Sequence, residues 1–147
     1  MWLRALLGSL HLLGLGLGLS GVLTRARALG EAAEDPTPAA MQRVFFADNL
    51  WGIAALLWIG TGLARAFAGF EKGTAYYLAS HAFLTKIALL LVVIALEIAP
   101  MIALIRARMG QPVDAAALGR YARISWIQAV ITVVMVALAG VMARGLG

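Results

Sequence analysis

The chain has 147 residues, of which 63% are apolar and 13% charged, and its mean hydropathy is +0.91. A soluble domain carries about 25% charged residues and buries only about 70% of its chain surface at this size, so a water-soluble fold is excluded. Each membrane-spanning helix needs roughly 20 apolar residues, so four spans would use more than half of the chain. The sequence predicts an all-α, integral membrane four-helix bundle forming one domain.

The net charge of +5 and the absence of cysteine narrow the function classes. Most arginines adjoin apolar segments, which is typical of topology signals and lipid headgroup contacts rather than of nucleic-acid binding. A chain without cysteine has no disulfide, thiolate metal site, iron–sulfur cluster or covalently attached haem.

Four apolar segments follow one another along the chain, at residues 5–23, 49–67, 75–105 and 124–141. Residues 28–43 are predicted to be a polar connection with a short interfacial helix at its end. The third segment is longer than a hydrocarbon core of about 30 Å requires, and Pro100 is its predicted kink. Two arginines follow the first segment where a signal-peptide cleavage site would lie, so this segment is predicted to be a retained helix.

The arginines and lysines predict an orientation. Seven of them lie in the loops between spans one and two and spans three and four, against four on the opposite face. The loop residues are Arg25, Arg27, Arg43, Arg106, Arg108, Arg120 and Arg123, and those on the opposite face are Arg4, Arg65, Lys72 and Arg144. Because positive loops stay in the cytoplasm, we expect both termini to lie on the side of the membrane opposite to the cytoplasm.

His11 lies inside the first span, on a stripe shared with Gly14, Gly18 and Gly21. Small residues in such a stripe let another helix, or a flat cofactor, approach closely. His11 is therefore either an axial haem ligand or proton-handling group, or a neutral histidine bonded to a neighbouring helix. The stripe itself is a candidate docking surface for other membrane subunits or for a homo-oligomer.

His81 follows the Tyr76-Tyr77 pair at the start of the third span. At 1.5 Å per residue, His11 and His81 both lie about 12–14 Å below the same membrane face. Two histidines at one depth are candidates to ligate one haem iron from opposite sides, or to hold a quinol or a metal. The alternative is that His81 belongs with the tyrosines to an interfacial belt.

Lys86 and Glu97 share one face of the third span, about 16 Å apart along its axis, so each needs a partner from another helix. Lys86 is either a catalytic group that handles a proton or a substrate carboxylate, or one half of a structural ion pair. Glu97 is predicted to be structural, with Asp48, Asn49 or Arg106 as neighbours. Gln128 lies on a polar stripe of the fourth span that interhelical hydrogen bonds explain.

Two family resemblances cover these residues. Segments such as FFADNLWGIAALLWIGTGLARAF and EKGTAYYLASHAFLTKIALLL resemble a bacterial family of small membrane proteins known only as a domain of unknown function. This resemblance implies a bacterial inner membrane, in which both termini would be periplasmic. More distantly, WLRALLGSLH, MQRVFF and KIALLLVV resemble the four-helix, haem-b-containing protoporphyrinogen oxidases and the related copper-resistance membrane proteins. The second resemblance implies functional roles for His11 and Lys86. That family usually has a histidine where this chain has Leu84.

Three functions remain open from the sequence. The first is a haem-b-binding redox or electron-transfer protein, which would make the chain a haem-dependent oxidoreductase, with His11 and His81 on the iron. The second is a non-catalytic accessory subunit of a larger membrane complex, docked through the glycine stripe. The third is a small metal-handling or transport protein.

Overall fold

The computed structural model describes residues 2–69 and 73–144, and within them the chain forms helices and turns without a strand. Five helices follow in chain order: α1 (Trp2–Glu34), α2 (Pro38–Phe67), α3 (Thr74–Ala79), α4 (His81–Arg108) and α5 (Ala115–Ala143). In these ranges four helices, all but α3, are long and apolar enough to cross a membrane. This confirms the predicted all-α membrane bundle.

Helix α1 extends well beyond the predicted first span. Residues 24–34 continue the helix because they are mostly alanine, leucine, arginine and glutamate, which favour helical backbone. The predicted polar connection therefore shrinks to a turn at residues 35–37. There the Thr37 side chain accepts a hydrogen bond from the Ala40 amide at 3.2 Å, and Pro38 occupies the first position of α2.

The third predicted span is two helices. Ser80 has an extended backbone (φ −86°, ψ 115°), and its hydroxyl accepts from the Phe83 amide at 3.3 Å, so it begins a new helix. Pro100 lies inside α4 and is buried, and the helix continues past it to Arg108. Gly69, Gly73 and Gly110 have positive φ in the turns, where residues with a Cβ would be strained.

The four long helices pack in an order that leaves one side open. Helix α1 packs along both α2 and α5, and α4 packs along α5, whereas α2 and α4 approach each other little through their backbones. One apolar core cluster lies near the α1–α2 turn, where Leu29, Val44, Leu104 and Leu118 are fully buried. The opposite end of the bundle contains a cavity instead.

Large apolar side chains cover the outside of the bundle. Leu56 is 76% exposed, Ile53 69% and Val130 62%. Exposed apolar surface of this extent requires an apolar solvent, so lipid contact follows from the fold.

The orientation stays a prediction, and the cysteine-free sequence allows a direct test. Gln111 lies in the α4–α5 turn and Leu3 at the opposite end of the bundle, and both are exposed. With Gln111→Cys, we expect a membrane-impermeant maleimide to react only after the cytoplasmic face is opened, whereas Leu3→Cys should react in intact spheroplasts. The reverse pattern would contradict the predicted topology. Lys72, which entered the charge count, lies outside the described residues.

Candidate functional site

Arg25 lies between the long helices with a fully buried side chain. The sequence predicts that Arg25 flanks the first span and contributes to the positive loop. This expectation is wrong, because α1 continues for nine residues beyond it. Without Arg25 the loop count falls to six against four, so the charge bias that predicts the orientation is smaller.

The Arg25 guanidinium uses all three of its nitrogens. Nη2 donates to Glu97 Oε2 at 2.7 Å while Nη1 donates to Glu97 Oε1, which makes the pair bidentate. Nη1 also donates to Asp48 Oδ1 at 2.9 Å. Nε donates to Ser125 Oγ at 3.1 Å, and Nη2 donates to Gln128 Oε1 at 2.8 Å. A planar fork of fixed donors suits such a site, and lysine could not replace it.

The carboxylates receive further donors. Glu97 Oε2 accepts from Trp51 Nε1 at 3.1 Å and from Gln128 Nε2 at 2.8 Å. Asp48 Oδ2 accepts from Arg108 at 2.8 Å, and Arg108 also donates to Asn49 Oδ1 at 3.0 Å. We call these residues the Arg25 cluster; its members are Arg25, Asp48, Asn49, Trp51, Glu97, Arg108, Ser125 and Gln128.

The Arg25 cluster has two positive and two negative side chains, so its formal charge is zero. In the described part of the chain, no buried polar side-chain atom is left without a hydrogen-bond partner. Removing charges from water is costly unless they are paired and fully hydrogen-bonded, and both conditions are met here. The arrangement ties α1, α2, α4 and α5 together, and Glu97 is paired with Arg25 rather than with the predicted Arg106.

The glycine stripe of α1 is covered by α2. A Cβ at Gly14 would lie 2.9 Å from the Trp58 backbone nitrogen, and one at Gly21 would lie 2.8 Å from that of Trp51. Such distances are shorter than real Cβ contacts, so these positions require glycine. The prediction that the stripe docks another subunit is therefore corrected: its three glycines are buried within the chain.

A cavity of about 510 Å³ lies at the end of the bundle away from the Arg25 cluster. All five helices line it, and the lining is mostly apolar, as is usual for small-molecule sites. The polar lining residues include His11 from α1, Arg65 from α2, Tyr76 and Tyr77 from α3, and Lys86 from α4. We call this space the His11 cavity.

His11 is half-buried, and its ring is oriented by α2. Nδ1 lies 3.0 Å from the Trp58 carbonyl oxygen and 3.1 Å from Thr61 Oγ1. The Thr61 hydroxyl donates its one proton to the Leu57 carbonyl at 2.6 Å. Its oxygen can therefore act only as an acceptor for His11. Both groups near Nδ1 are therefore acceptors, which places the proton of a neutral ring on Nδ1 and leaves the lone pair on Nε2.

The other predicted site residues separate into two groups. Lys86 is half-buried in the cavity wall and makes no hydrogen bond or ion pair with the residues that the structure describes. His81 is exposed at the start of α4 and is not among the cavity-lining residues. Its role as an iron ligand stays a prediction. Within residues 2–69 and 73–144, no three His, Asp or Glu side chains cluster as a metal site would need.

Arg25 is the residue that sequence reasoning missed, although a signal was present. The steps from Gly14 to Gly18, Gly21, Arg25 and Ala28 are four, three, four and three residues, so Arg25 continues the glycine stripe. Glu97, an acidic residue inside an apolar segment, also indicated a buried cation, and Asp48 lies directly before the next such segment towards the N-terminus.

The sequence model of one family matches residues 3–147, and that family is described as a predicted membrane protein, DUF2214. The chain belongs to this family. Membership of DUF2214 supports the first resemblance and the membrane location. No curated protein and no solved structure matches the chain. The likeness to haem-b oxidases and copper-resistance proteins has no support from these comparisons, so the roles it implies for His11 and Lys86 stay predictions.

Proposed function

We propose that this DUF2214 protein binds haem b in the His11 cavity and serves as a redox or electron-transfer protein. The observation that carries the proposal is the fixed orientation of His11, whose Nδ1 is held by the Trp58 carbonyl and Thr61 hydroxyl. Metal-ligating histidines nearly always have their second nitrogen bonded to a carbonyl or carboxylate in this way, which raises the basicity of the ligating nitrogen.

The residues present fit such a cofactor. The cavity of about 510 Å³ is in the usual range for sites of drug-sized molecules, roughly 300–1,000 Å³. Its walls include Gly8 and Gly62. A Cβ at position 62 would lie 3.0 Å from His11 Cε1, so a larger residue there would displace the imidazole. The orientation of the ring is therefore specified by the packing of α1 on α2.

The chain's own contribution follows from this geometry. Bound haem would supply a one-electron couple, as it does in other membrane electron carriers. His11 Nε2 would ligate the iron, and Trp58 and Thr61 would hold the imidazole in the required tautomer. The apolar walls formed by Leu12, Leu15 and Leu90 would exclude water from the ligand.

A titration of purified apoprotein with haemin tests this proposal. We expect the wild-type protein to bind one equivalent with a sharp Soret band. We expect His11→Ala to lower haemin affinity by about tenfold or more, in line with the loss of a metal ligand or its support. His81→Ala is the matched control, because it removes the only other histidine from an exposed position.

Each variant can contradict a part of the proposal. If His11→Ala binds haemin as the wild type does, His11 is not the ligand and the proposal fails. If both His11→Ala and His81→Ala lower haemin affinity, the predicted two-histidine ligation is supported instead of ligation by His11 alone.

One alternative function has lost the observation on which it depended. The accessory-subunit hypothesis used the glycine stripe as its docking surface, and α2 covers that stripe. The metal-handling or transport hypothesis depends on the likeness to copper-resistance proteins, and it stays an alternative prediction.

A further inference from the structure

Lys86 has an environment that is unusual for a lysine. It is the sixth residue of α4 and contributes to the wall of the His11 cavity, beside Ile87 and Leu90. Among the described residues its ammonium group has no carboxylate partner and no hydrogen bond. An unpaired cation beside apolar walls is costly, so an anion in the cavity would stabilise it.

The described residues around Lys86 do not compensate its charge. Arg65 lines the same cavity from α2, and its positive charge repels that of Lys86. The buried carboxylates of the described bundle, Asp48 and Glu97, belong to the Arg25 cluster at the other end, where they are already paired. An anion in the cavity would therefore balance the charge of Lys86, while the apolar walls favour a molecule with a large hydrophobic body.

We infer that the His11 cavity selects a carboxylate-bearing ligand, with the acidic group against Lys86 and the apolar body along Leu12, Leu15 and Leu90. The inference rests on the proposed function insofar as the ligand is haem b, whose two propionates would supply the carboxylates. Lys86 is then a specificity-determining residue that distinguishes an acid from its neutral ester. The competing explanation is that the Lys86 stem extends its ammonium group towards lipid headgroups, which predicts no such discrimination.

Binding of paired acids and esters decides between these explanations. Haemin and its dimethyl ester, and metal-free protoporphyrin and its dimethyl ester, are each titrated into wild type, Lys86→Met and Arg4→Gln in detergent. Methionine keeps the apolar length of the lysine stem without the charge. Arg4 is exposed near the N-terminus of α1, the end of that helix that contributes to the cavity, but Arg4 itself does not line it. Arg4→Gln therefore removes an equal charge without changing the site.

We expect the wild type to prefer each acid over its ester by about tenfold or more, because a hydrogen bond to a charged group contributes about that factor. Lys86→Met should lose most of this preference and Arg4→Gln should keep it. The inference is overturned if Lys86→Met retains the wild-type preference, or if the wild type shows none.

The metal-free porphyrin separates this inference from the proposed function, since it has no iron for His11 to ligate. If the Lys86-dependent preference appears with both porphyrins while His11→Ala leaves haemin affinity unchanged, the acidic subsite stands and iron ligation fails. If His11 is required for haemin binding but Lys86→Met keeps the preference for acids, iron ligation by His11 stands and the acidic subsite at Lys86 fails. Absence of saturable binding of either acid overturns both.

Discussion

Replacement of Arg25 by methionine should lower the free energy of unfolding by about 3–5 kcal/mol, the usual effect of breaking a buried ion pair. The side chain is fully buried and bonds to Glu97, Asp48, Ser125 and Gln128. Methionine fills similar volume, but it leaves Glu97 as an uncompensated charge in the bundle. Unfolding of the detergent-solubilised protein by heat or denaturant measures the loss, and the variant should also accumulate poorly in membranes.

Arg27→Met is the matched control for this substitution. Arg27 is exposed on the same helix two residues away, so its loss should change stability by less than about 0.5 kcal/mol. Equal effects of Arg25→Met and Arg27→Met would show that Arg25 is not the central partner of the carboxylates.

A double substitution isolates the pair itself. Glu97→Gln removes the negative charge that Arg25→Met leaves unpaired, while Asp48 keeps its bond to Arg108 at 2.8 Å. We therefore expect the double variant to lose less stability than the two single losses combined, with an interaction energy of about 0.5–3 kcal/mol. Strict additivity would contradict the bidentate contact.

Replacement of Gly21 by leucine should cost about 3 kcal/mol, towards the upper part of the range for inserting side chains into packed interiors. A Cβ alone would lie 2.8 Å from the Trp51 backbone nitrogen, so α1 and α2 would have to separate. The separation would also displace Trp51, which donates a hydrogen bond to Glu97. The same unfolding assay measures this effect.

Gly16→Leu is the control, because it makes the same substitution on another face of the same helix. Gly16 is exposed, and a Cβ there meets nothing within 4 Å. A leucine facing lipid should leave the protein as stable as wild type. If both leucine variants were equally unstable, the cause would be helix α1 itself rather than its contact with α2.

The fold was largely predictable because hydropathy fixes which segments enter a bilayer. The four long apolar helices lie where the composition placed them, but their ends do not follow from hydropathy. Residues 24–34 have a polar character and still form helix, since their helix propensity is high and alanines at 26, 28 and 32 are buried against other helices. The break at Ser80 depends on one hydrogen bond, from the Phe83 amide to the Ser80 side chain. A serine in an apolar segment does not by itself predict such a break.

The sites were predictable in part, and the limit is the direction in which each side chain points. Counting residues put His11 and His81 at one depth, but depth does not specify the side of the helix. The structure places His11 in the cavity wall and His81 on the surface. Hydropathy predicts Glu97 and Gln128 as polar residues inside the bundle. It predicts a loop position for their partner Arg25, because an arginine near the end of an apolar segment usually lies there.

The two polar features occupy opposite halves of the bundle and have different roles. The Arg25 cluster is charge-balanced and joins four helices, so it sets their spacing. The His11 cavity retains an oriented imidazole and a lysine without a partner among the described residues, as a binding site requires. Stability resides in the first feature, and we assign binding to the second.

The visible absorption spectrum of the protein purified from haem-replete cells tests the central claim most directly. We predict a Soret band that shifts on reduction, and about one haem b per chain. A preparation that is folded and stable in detergent but shows no Soret band, and gains none when haemin is added, would contradict the claim.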